Sequence, residues 1–114
     1  MPVLLEINSG RETQKFGFYP EEAVNAARQA GRLAGLALKG LMTMGPAREN
    51  PEELRSFFRT TRQLFEEIAS LELPGVEMRY LSMGMSQSYL VAIEEGANLV
   101  RLGTAIFGPR NGKT

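Results

Sequence analysis

Short runs of β-branched and aliphatic residues alternate with helix-patterned segments along the chain, and this alternation restricts the fold more than any other feature. The strand-like runs are 3–8, 36–44, 76–82 and 99–102. Strands separated by helices favour parallel pairing through right-handed crossovers. The sequence therefore predicts an α/β protein with the order β-α-β-α-β-α-β, which is half of a TIM-like (β/α)8 barrel.

The helix between the second and third strands has the clearest local signals. Asn50 is a capping residue, Pro51 suits the first helical position, and a Glu follows three residues after the cap. Apolar residues then recur at intervals of three and four up to Ile68. An earlier helix is predicted after the Tyr-Pro-Glu-Glu segment 19–22, and a later one of about ten residues is predicted to end near Gly96.

Size and composition exclude several classes of function. A chain of 114 residues predicts a single domain over 1–114. Thirteen basic and thirteen acidic residues leave no net positive field for nucleic acid or an anionic membrane. Without Cys or His, the chain cannot build a disulfide, a thiolate or imidazole metal site, or a Ser-His-Asp triad. No membrane-length apolar run or signal-peptide pattern is present, so a cytoplasmic protein is expected.

Residue alternation along the strands predicts two different sheet faces. The mixed set is Glu6, Asn8, Lys39, Thr43, Arg79 and Arg101, and the apolar set, suited to pack under helices, is Leu5, Ile7, Met42, Tyr80, Val100 and Leu102. Charges on one face indicate a barrel lumen or a ligand-lined surface. Alternatively, these long side chains pair with each other or reach water at the ends of the sheet.

Three small-residue segments are predicted at the carboxyl edge of the sheet, where parallel α/β proteins bind ligands. They are 8–10, 82–86 and Gly103-Thr104. The hydroxyls of Ser86 and Thr104, with the backbone at Gly103, could form a phosphate cup, although a segment like 82–86 is more often a tight helix entry. Arg101 could hold an anion or a heterocyclic nitrogen, or it could form an ion pair with Glu6.

These residues carry a resemblance to a known family. The segments Leu-Ser-Met-Gly-Met-Ser at 81–86 and Val-Arg-Leu-Gly-Thr-Ala-Ile-Phe-Gly at 100–108 resemble the C-terminal signature of the pyridoxal-phosphate homeostasis family, also called YggS or PROSC. Segments 8–17 and 40–44 resemble earlier parts of that family in the same order. The resemblance covers nearly the whole chain and corresponds to the C-terminal half of the family's barrel.

The resemblance implies a barrel of the alanine racemase N-terminal type that binds pyridoxal 5'-phosphate. In the family a lysine of an early strand holds the cofactor as a Schiff base. None of this chain's three lysines, Lys15, Lys39 and Lys113, lies in a segment resembling that strand. The resemblance assigns the phosphate-binding positions to Ser86, Gly103 and Thr104, and the residue facing the pyridine nitrogen to Arg101. Where the family commonly has an acid, this chain has Ser88.

Two functions from different classes follow from the sequence. The first is a noncovalent pyridoxal phosphate-binding protein of the homeostasis type, without catalytic turnover. The second is a structural half-barrel that pairs with a copy of itself or with a complementary N-terminal half. A racemase-like enzyme ranks last, because such an enzyme needs a placed lysine and an acid-base residue.

Overall fold

The computed structural model describes residues 2–11, 13, 17–46, 50–85 and 88–99, and it has the predicted α/β order. Three strands alternate with three helices: β1 (Pro2–Glu6), α1 (Ala23–Gly31), β2 (Ala37–Thr43), α2 (Arg55–Leu71), β3 (Val76–Met83) and α3 (Tyr89–Glu94). Short 3₁₀ turns at Pro20–Glu22 and Pro51–Leu54 lead into α1 and α2. None of the helices in this described part is both long and apolar enough to cross a membrane.

The strands form one parallel sheet in the order β1-β2-β3, so the predicted fold class is confirmed. The predicted fourth strand is seen at its first residue, where Leu99 forms a parallel bridge with Ser82. The remainder of that prediction, 100–102, lies outside the described residues. A parallel sheet whose strands alternate with helices is the repeating arrangement of a TIM-like barrel.

The helix boundaries agree with the sequence signals except at α3. The Asn50 side chain accepts a hydrogen bond from the Glu52 N–H at 3.0 Å and thereby caps the 3₁₀ turn that opens α2, as predicted. The third helix is shorter than the predicted length, at six residues. It begins only after Ser88 and ends where Glu95 and Gly96 form a turn.

The core lies between the sheet and helices α1 and α2. Its fully buried side chains include Phe58 and Ile68 of α2 and Leu38, Leu41 and Leu81 of the strands. The fully buried residues of α1 are the small Ala23 and Ala27, so its axis can approach the sheet closely. A Cβ atom at Gly31, the last residue of α1, would overlap the carbonyl oxygen of Pro74, so this close approach requires glycine.

The predicted assignment of residues to sheet faces was correct for Leu5 and Ile7 and wrong for Met42, Tyr80 and Thr43. Laterally paired residues share a sheet face, and the pairs are Leu4 with Gly40 and Tyr80, Glu6 with Met42 and Ser82, and Leu5 with Leu41 and Leu81. Met42 and Tyr80 therefore share the face of Glu6, whereas Thr43 is buried beside Met83.

The causes of this error are irregularities in two strands. For Tyr80, β3 advances four residues, from Val76 to Tyr80, while β2 advances two, from Leu38 to Gly40. For Met42 and Thr43, the cause is a bulge in β2. Val3 pairs with Leu38 but Leu4 pairs with Gly40, so Lys39 is an extra residue that reverses the alternation. The Lys39 ammonium forms an ion pair with Glu77 of β3. For Lys39, the alternative interpretation of a charge paired on the sheet is the one that the structure shows.

Candidate functional site

The carboxyl ends of the three parallel strands form one edge of the sheet, as predicted. Asn8 and Ser9 follow β1, Thr43 ends β2, and Gly84 follows β3. Asn8, Ser9 and Thr43 are buried despite their polar side chains. Buried polar groups at the ligand edge of an α/β sheet need hydrogen-bond partners, and they define the geometry there.

A chain of hydroxyl hydrogen bonds connects the ends of β1 and β2. The Thr43 hydroxyl donates to the carbonyl oxygen of Ile7 at 2.8 Å, and it lies 2.8 Å from the Ser9 hydroxyl. Since Thr43 has a single hydroxyl hydrogen and donates it to Ile7, Ser9 must be the donor to Thr43. The sequence patterns did not predict this pair. The signal was the presence of hydroxyl residues at the carboxyl ends of neighbouring strands.

The turn after β3 is held at both ends. The N–H of Gly84 donates to the Thr43 carbonyl oxygen at 3.2 Å, and the Met85 N–H donates to the Ser88 hydroxyl at 3.1 Å. Gly84 has φ +86, and a Cβ atom there would lie 2.9 Å from the Cβ of Ala92, so this position requires glycine. The Ser88 hydroxyl therefore holds the residue that follows Gly84.

The start of the fourth strand is joined to β3 by both backbone and side-chain bonds. The N–H of Met83 donates to the Leu99 carbonyl oxygen at 3.0 Å. The Asn98 carboxamide accepts from the Leu81 N–H at 2.8 Å and donates to the Arg79 carbonyl oxygen at 2.9 Å. The segment that leads to Arg101 therefore begins alongside β3. Asn98 was not among the predicted residues.

All four predicted site residues lie outside the described part of the chain: Ser86, Arg101, Gly103 and Thr104. The same holds for the predicted alternative of an ion pair between Arg101 and Glu6. The structure does bring together the described parts of two predicted segments, 8–10 and 82–85, through their bonds to Thr43. The third segment, Gly103-Thr104, lies outside the described residues.

An ion-pair network behind this edge connects α2 to the end of α3. The Glu95 carboxylate, whose side chain is only 12% exposed, accepts hydrogen bonds from Arg55 at 2.8 Å and from Arg59 at 3.1 Å. Hydrogen bonds from Arg59 and Arg55 lower the pKa of the Glu95 carboxyl. Arg55 also bonds Glu52 and Glu94, and these carboxylates raise its pKa.

A metal ion would need a cluster of ligating side chains, and a covalently bound cofactor would need a lysine amine. The described residues contain no group of three acidic side chains that could hold a metal ion. Their one lysine, Lys39, is the extra residue of the bulge in β2 and pairs with Glu77, whose pKa it lowers. The described part of the edge therefore holds no lysine amine, and the hydroxyl hydrogens of Ser9 and Thr43 are already donated within the protein.

The curated proteins that are similar to this chain include several pyridoxal phosphate homeostasis proteins. The chain is 44% identical over 108 residues to the pyridoxal phosphate homeostasis protein of Aquifex aeolicus. This match covers 95% of this chain and 46% of the relative. The corresponding protein of Haemophilus influenzae is 40% identical over 112 residues, with 98% and 47% covered. The chain thus spans about half the length of the curated relatives that it matches.

Solved structures show the same fold. A protein of unknown function from Bifidobacterium adolescentis superimposes with a TM-score of 0.87 at 40% identity, over 93% of this chain and 42% of that one. PipY of Synechococcus elongatus, in a structure with PLP bound, gives a TM-score of 0.75 at 27% identity, over 94% of this chain and 49% of that one.

A family-level match covers almost the entire chain. Residues 1–111 match the family described as the alanine racemase N-terminal domain. This agrees with the parallel α/β sheet and with the names of the similar proteins. The chain belongs to the alanine racemase N-terminal domain family, and its similar curated proteins are pyridoxal phosphate homeostasis proteins.

Proposed function

We propose that the chain is a pyridoxal 5'-phosphate-binding protein of the homeostasis type, which holds the cofactor noncovalently through its phosphate and has no catalytic turnover. One observation carries the proposal. The Ser82 and Leu99 bridge places the start of the fourth strand beside the end of β3, where the turn after β3 begins. The PLP-bound structure of the similar protein PipY supports the identity of the ligand.

The phosphate is held, in this proposal, by the hydroxyls of Ser86 and Thr104 and by the backbone N–H of Gly103. Each hydrogen bond to a charged phosphate oxygen contributes about 1.5–3 kcal/mol before ordering costs. Arg101 faces the ring nitrogen, because a guanidinium is a permanent donor. The described turn supports this arrangement, since Gly84 lets the backbone turn tightly at the point from which Ser86 follows.

Noncovalent binding is supported by Lys39, the one lysine among the described residues. Lys39 is engaged by Glu77 on the sheet and lies away from the carboxyl edge, so forming a covalent bond there would first require breaking an ion pair. The resemblance assigns no cofactor lysine to this half of the barrel. We propose that the chain carries the cofactor in the cytoplasm. Because it has no cysteines, its folding does not depend on an oxidising compartment.

Titration with pyridoxal phosphate tests the assignment of the hydroxyl donors. We expect Thr104→Val to weaken binding by about tenfold, the loss of one hydrogen bond to a charged group. The matched control is Thr60→Val, because the Thr60 hydroxyl bonds only the Ser56 carbonyl oxygen within α2. Equal affinities for the two variants would contradict the proposed phosphate cup.

A second candidate function is a structural half-barrel that binds a partner chain. The sheet face opposite the helices exposes Tyr80 at 39% and Leu99 at 46% of their surface. These two residues, with Leu4 and Lys39, line an open cavity of 360 Å³. An apolar surface on an open parallel sheet is typical of a face that another element covers. In this proposal the domain 1–114 pairs with a second copy or with a complementary N-terminal half.

A further inference from the structure

The outer edge of β1 is closed at its carboxyl end by the protein itself. β1 lies at the edge of the sheet. The Phe18 N–H donates to the Glu6 carbonyl oxygen at 2.8 Å, and the Asn8 N–H donates to the Phe18 carbonyl oxygen at 2.7 Å. The Ile7 N–H points to the other side and donates to the Met42 carbonyl oxygen of β2 at 2.7 Å. Phe18 therefore occupies the outer edge of β1 from the Glu6 carbonyl onward.

The part of this edge before the Glu6 carbonyl is open. Backbone groups of successive strand residues point to opposite sides, and β1 keeps this alternation because the extra residue of the bulge lies in β2. The residues that point outward are therefore Pro2, Leu4 and Glu6. They present two donors, the N–H groups of Leu4 and Glu6, and two acceptors, the carbonyl oxygens of Pro2 and Leu4. Within the described residues, none of these four groups has a hydrogen-bond partner.

The four open groups match a second copy of the same edge. In an antiparallel pair, two residues whose backbone groups face each other exchange both of their N–H···O bonds. When Leu4 lies opposite the second copy's Leu4, two such bonds form, and each Glu6 N–H faces the Pro2 carbonyl oxygen of the other copy. Proline has no N–H to donate, and it falls opposite the Glu6 carbonyl, which already accepts from Phe18. This register therefore uses every open group of both edges.

The side chains of β1 agree with this pairing. Val3 and Leu5, which are partly buried against the core, would lie opposite each other on the helix side of the sheet. Leu4 would meet its counterpart on the open face, where it lines the cavity beside Tyr80. Apolar pairs across neighbouring strands stabilise an antiparallel ladder. The two Glu6 carboxylates would stand four residues apart along the pair, about 13 Å, which is beyond the screening length at physiological salt.

The outer edge of β3 offers no equivalent place for β1 of another copy. The Asn98 carboxamide bonds the Leu81 N–H and the Arg79 carbonyl oxygen there. The Met83 N–H donates to the Leu99 carbonyl oxygen. Two copies can therefore join through β1 and β1, and such a pair closes on itself under a twofold axis.

We infer that two copies of the chain pair antiparallel through the open edge of β1, with Leu4 opposite Leu4 and Glu6 opposite Pro2. The pair joins the three strands of each copy into one continuous sheet. The inference rests on the second candidate function, for which it names the partner and the contact.

A single cysteine tests the pairing. The chain has no Cys, so a disulfide in Leu4→Cys can form only between two copies. Directly opposite residues of a hydrogen-bonded antiparallel pair have Cα atoms about 5.5 Å apart, within the range that a disulfide spans. We expect Leu4→Cys to give severalfold more cross-linked dimer than Leu90→Cys. Leu90 is 63% exposed on α3, so its variant measures cross-linking by random collision.

Mixing two variants tests the register. Chains carrying Pro2→Cys and chains carrying Glu6→Cys, combined in equal amounts, should form the mixed cross-linked dimer in preference to either homodimer. The reason is that position 2 lies opposite position 6 in the inferred pair. Intact mass distinguishes the three products, and a preference for either homodimer would contradict the register.

Proline at position 4 tests the hydrogen bonds. The Leu4 N–H points away from β2, so Leu4→Pro should keep the fold, as proline is tolerated on the open side of an edge strand. It removes both central bonds of the pair, and light scattering should then give a mass near 12.6 kDa. Leu4→Met, which conserves volume, should keep the mass of the natural chain. If Leu4→Pro does not fold, Leu4→Lys gives the same test, because it places two ammonium groups opposite each other.

The outcomes separate the inference from the second candidate function. If the natural chain associates but Leu4→Pro keeps its mass and Leu4→Cys cross-links no better than Leu90→Cys, the pairing through β1 is wrong and association through the open face remains. If the natural chain is a monomer and Leu4→Cys does not cross-link, the pairing is also wrong. The second candidate function then requires a complementary half.

Discussion

Thr43 connects two strand ends with a hydroxyl that has only one hydrogen to donate. It gives this hydrogen to the Ile7 carbonyl oxygen and accepts one from Ser9, and its own carbonyl oxygen accepts from Gly84. At the residue scale, Thr43 therefore joins β1, β2 and the turn after β3. Its side chain is 1% exposed, so water cannot replace a lost bond without rearrangement.

We predict that Thr43→Val lowers the free energy of unfolding by about 1–3 kcal/mol, because the Ile7 carbonyl oxygen and the Ser9 hydroxyl lose their partner in a buried place. Thr60→Val removes an exposed hydroxyl that bonds only within α2. Its effect should stay within about 0.5 kcal/mol. Urea unfolding of both variants measures the difference, and equal values would show that the hydroxyl chain does not stabilise this edge.

The two interpretations of Arg101 give opposite results on mutation. If Arg101 faces the ligand, Arg101→Ala should weaken pyridoxal phosphate binding with little effect on stability. As half of a buried ion pair with Glu6, the same change should cost about 3–5 kcal/mol. We expect the first result. Thermal melts and phosphate titrations of Arg101→Ala and Glu6→Gln distinguish the two interpretations. A loss of stability in both variants with unchanged affinity would contradict the ligand-facing role of Arg101.

At the scale of elements, α3 depends on α2 more than on its own sequence. A helix of six residues is too short to be stable alone, and its last turn is held by the bonds from Arg55 and Arg59 to Glu95. On its sheet side it contributes Val91 and Ala92 to the core. The network of charges therefore fixes the end of α3 that leads into Asn98.

The pH dependence of this network has a definite sign. Hydrogen bonds from Arg59 and Arg55 lower the pKa of the Glu95 carboxyl in the folded chain, whereas the unfolded value is about 4.3. The stabilisation is thus complete above the unfolded pKa and is lost as the pH falls through the lower folded pKa.

We predict that Glu95→Gln has a lower Tm than the natural chain at pH 7, and that the two Tm values converge as the pH falls below the unfolded pKa of about 4.3 and through the lower folded pKa. Comparison with Glu95→Gln isolates this carboxyl from Glu21, Glu52 and Glu77, whose pKa values are also lowered by basic partners. A difference in Tm that grows towards low pH would contradict the network.

Local signals predicted the elements well where the cause was local. The Asn50 cap and the spacing of apolar residues in α2 depend on neighbours within a few positions, and both were correct. The bulge at Lys39 and the short α3 were not predicted, because they arise from pairing with β1 and from the bond between Ser88 and Met85. Period-two alternation fails after a bulge, which explains the wrong face of Met42, and the register shift of β3 between Val76 and Tyr80 explains that of Tyr80.

For the whole molecule, the helices α1 and α2 pack on one face of the sheet and leave Tyr80 and Leu99 exposed on the other. Segments 8–10 and 82–85 could be assigned to one edge from sequence because parallel strands end together. The hydroxyl chain and the Asn98 bonds could not be predicted from sequence, since they depend on the register between strands that are distant in sequence.

We predict that the 114-residue chain is not a monomer in solution. Exposed strand edges and an uncovered apolar face favour association. Light scattering at micromolar concentration should give a mass well above 12.6 kDa. Replacing Tyr80 with Asp should lower that mass, and a monodisperse monomer of the natural chain would contradict the prediction.

The central claim is that pyridoxal phosphate binds through its phosphate and without a covalent bond. Its most direct test is competition with inorganic phosphate, followed by borohydride reduction and the intact mass of the chain. We expect inorganic phosphate to displace the cofactor and the mass to stay that of the unmodified chain. A stoichiometric adduct on Lys15 or Lys39, or binding that is indifferent to inorganic phosphate, would contradict the claim.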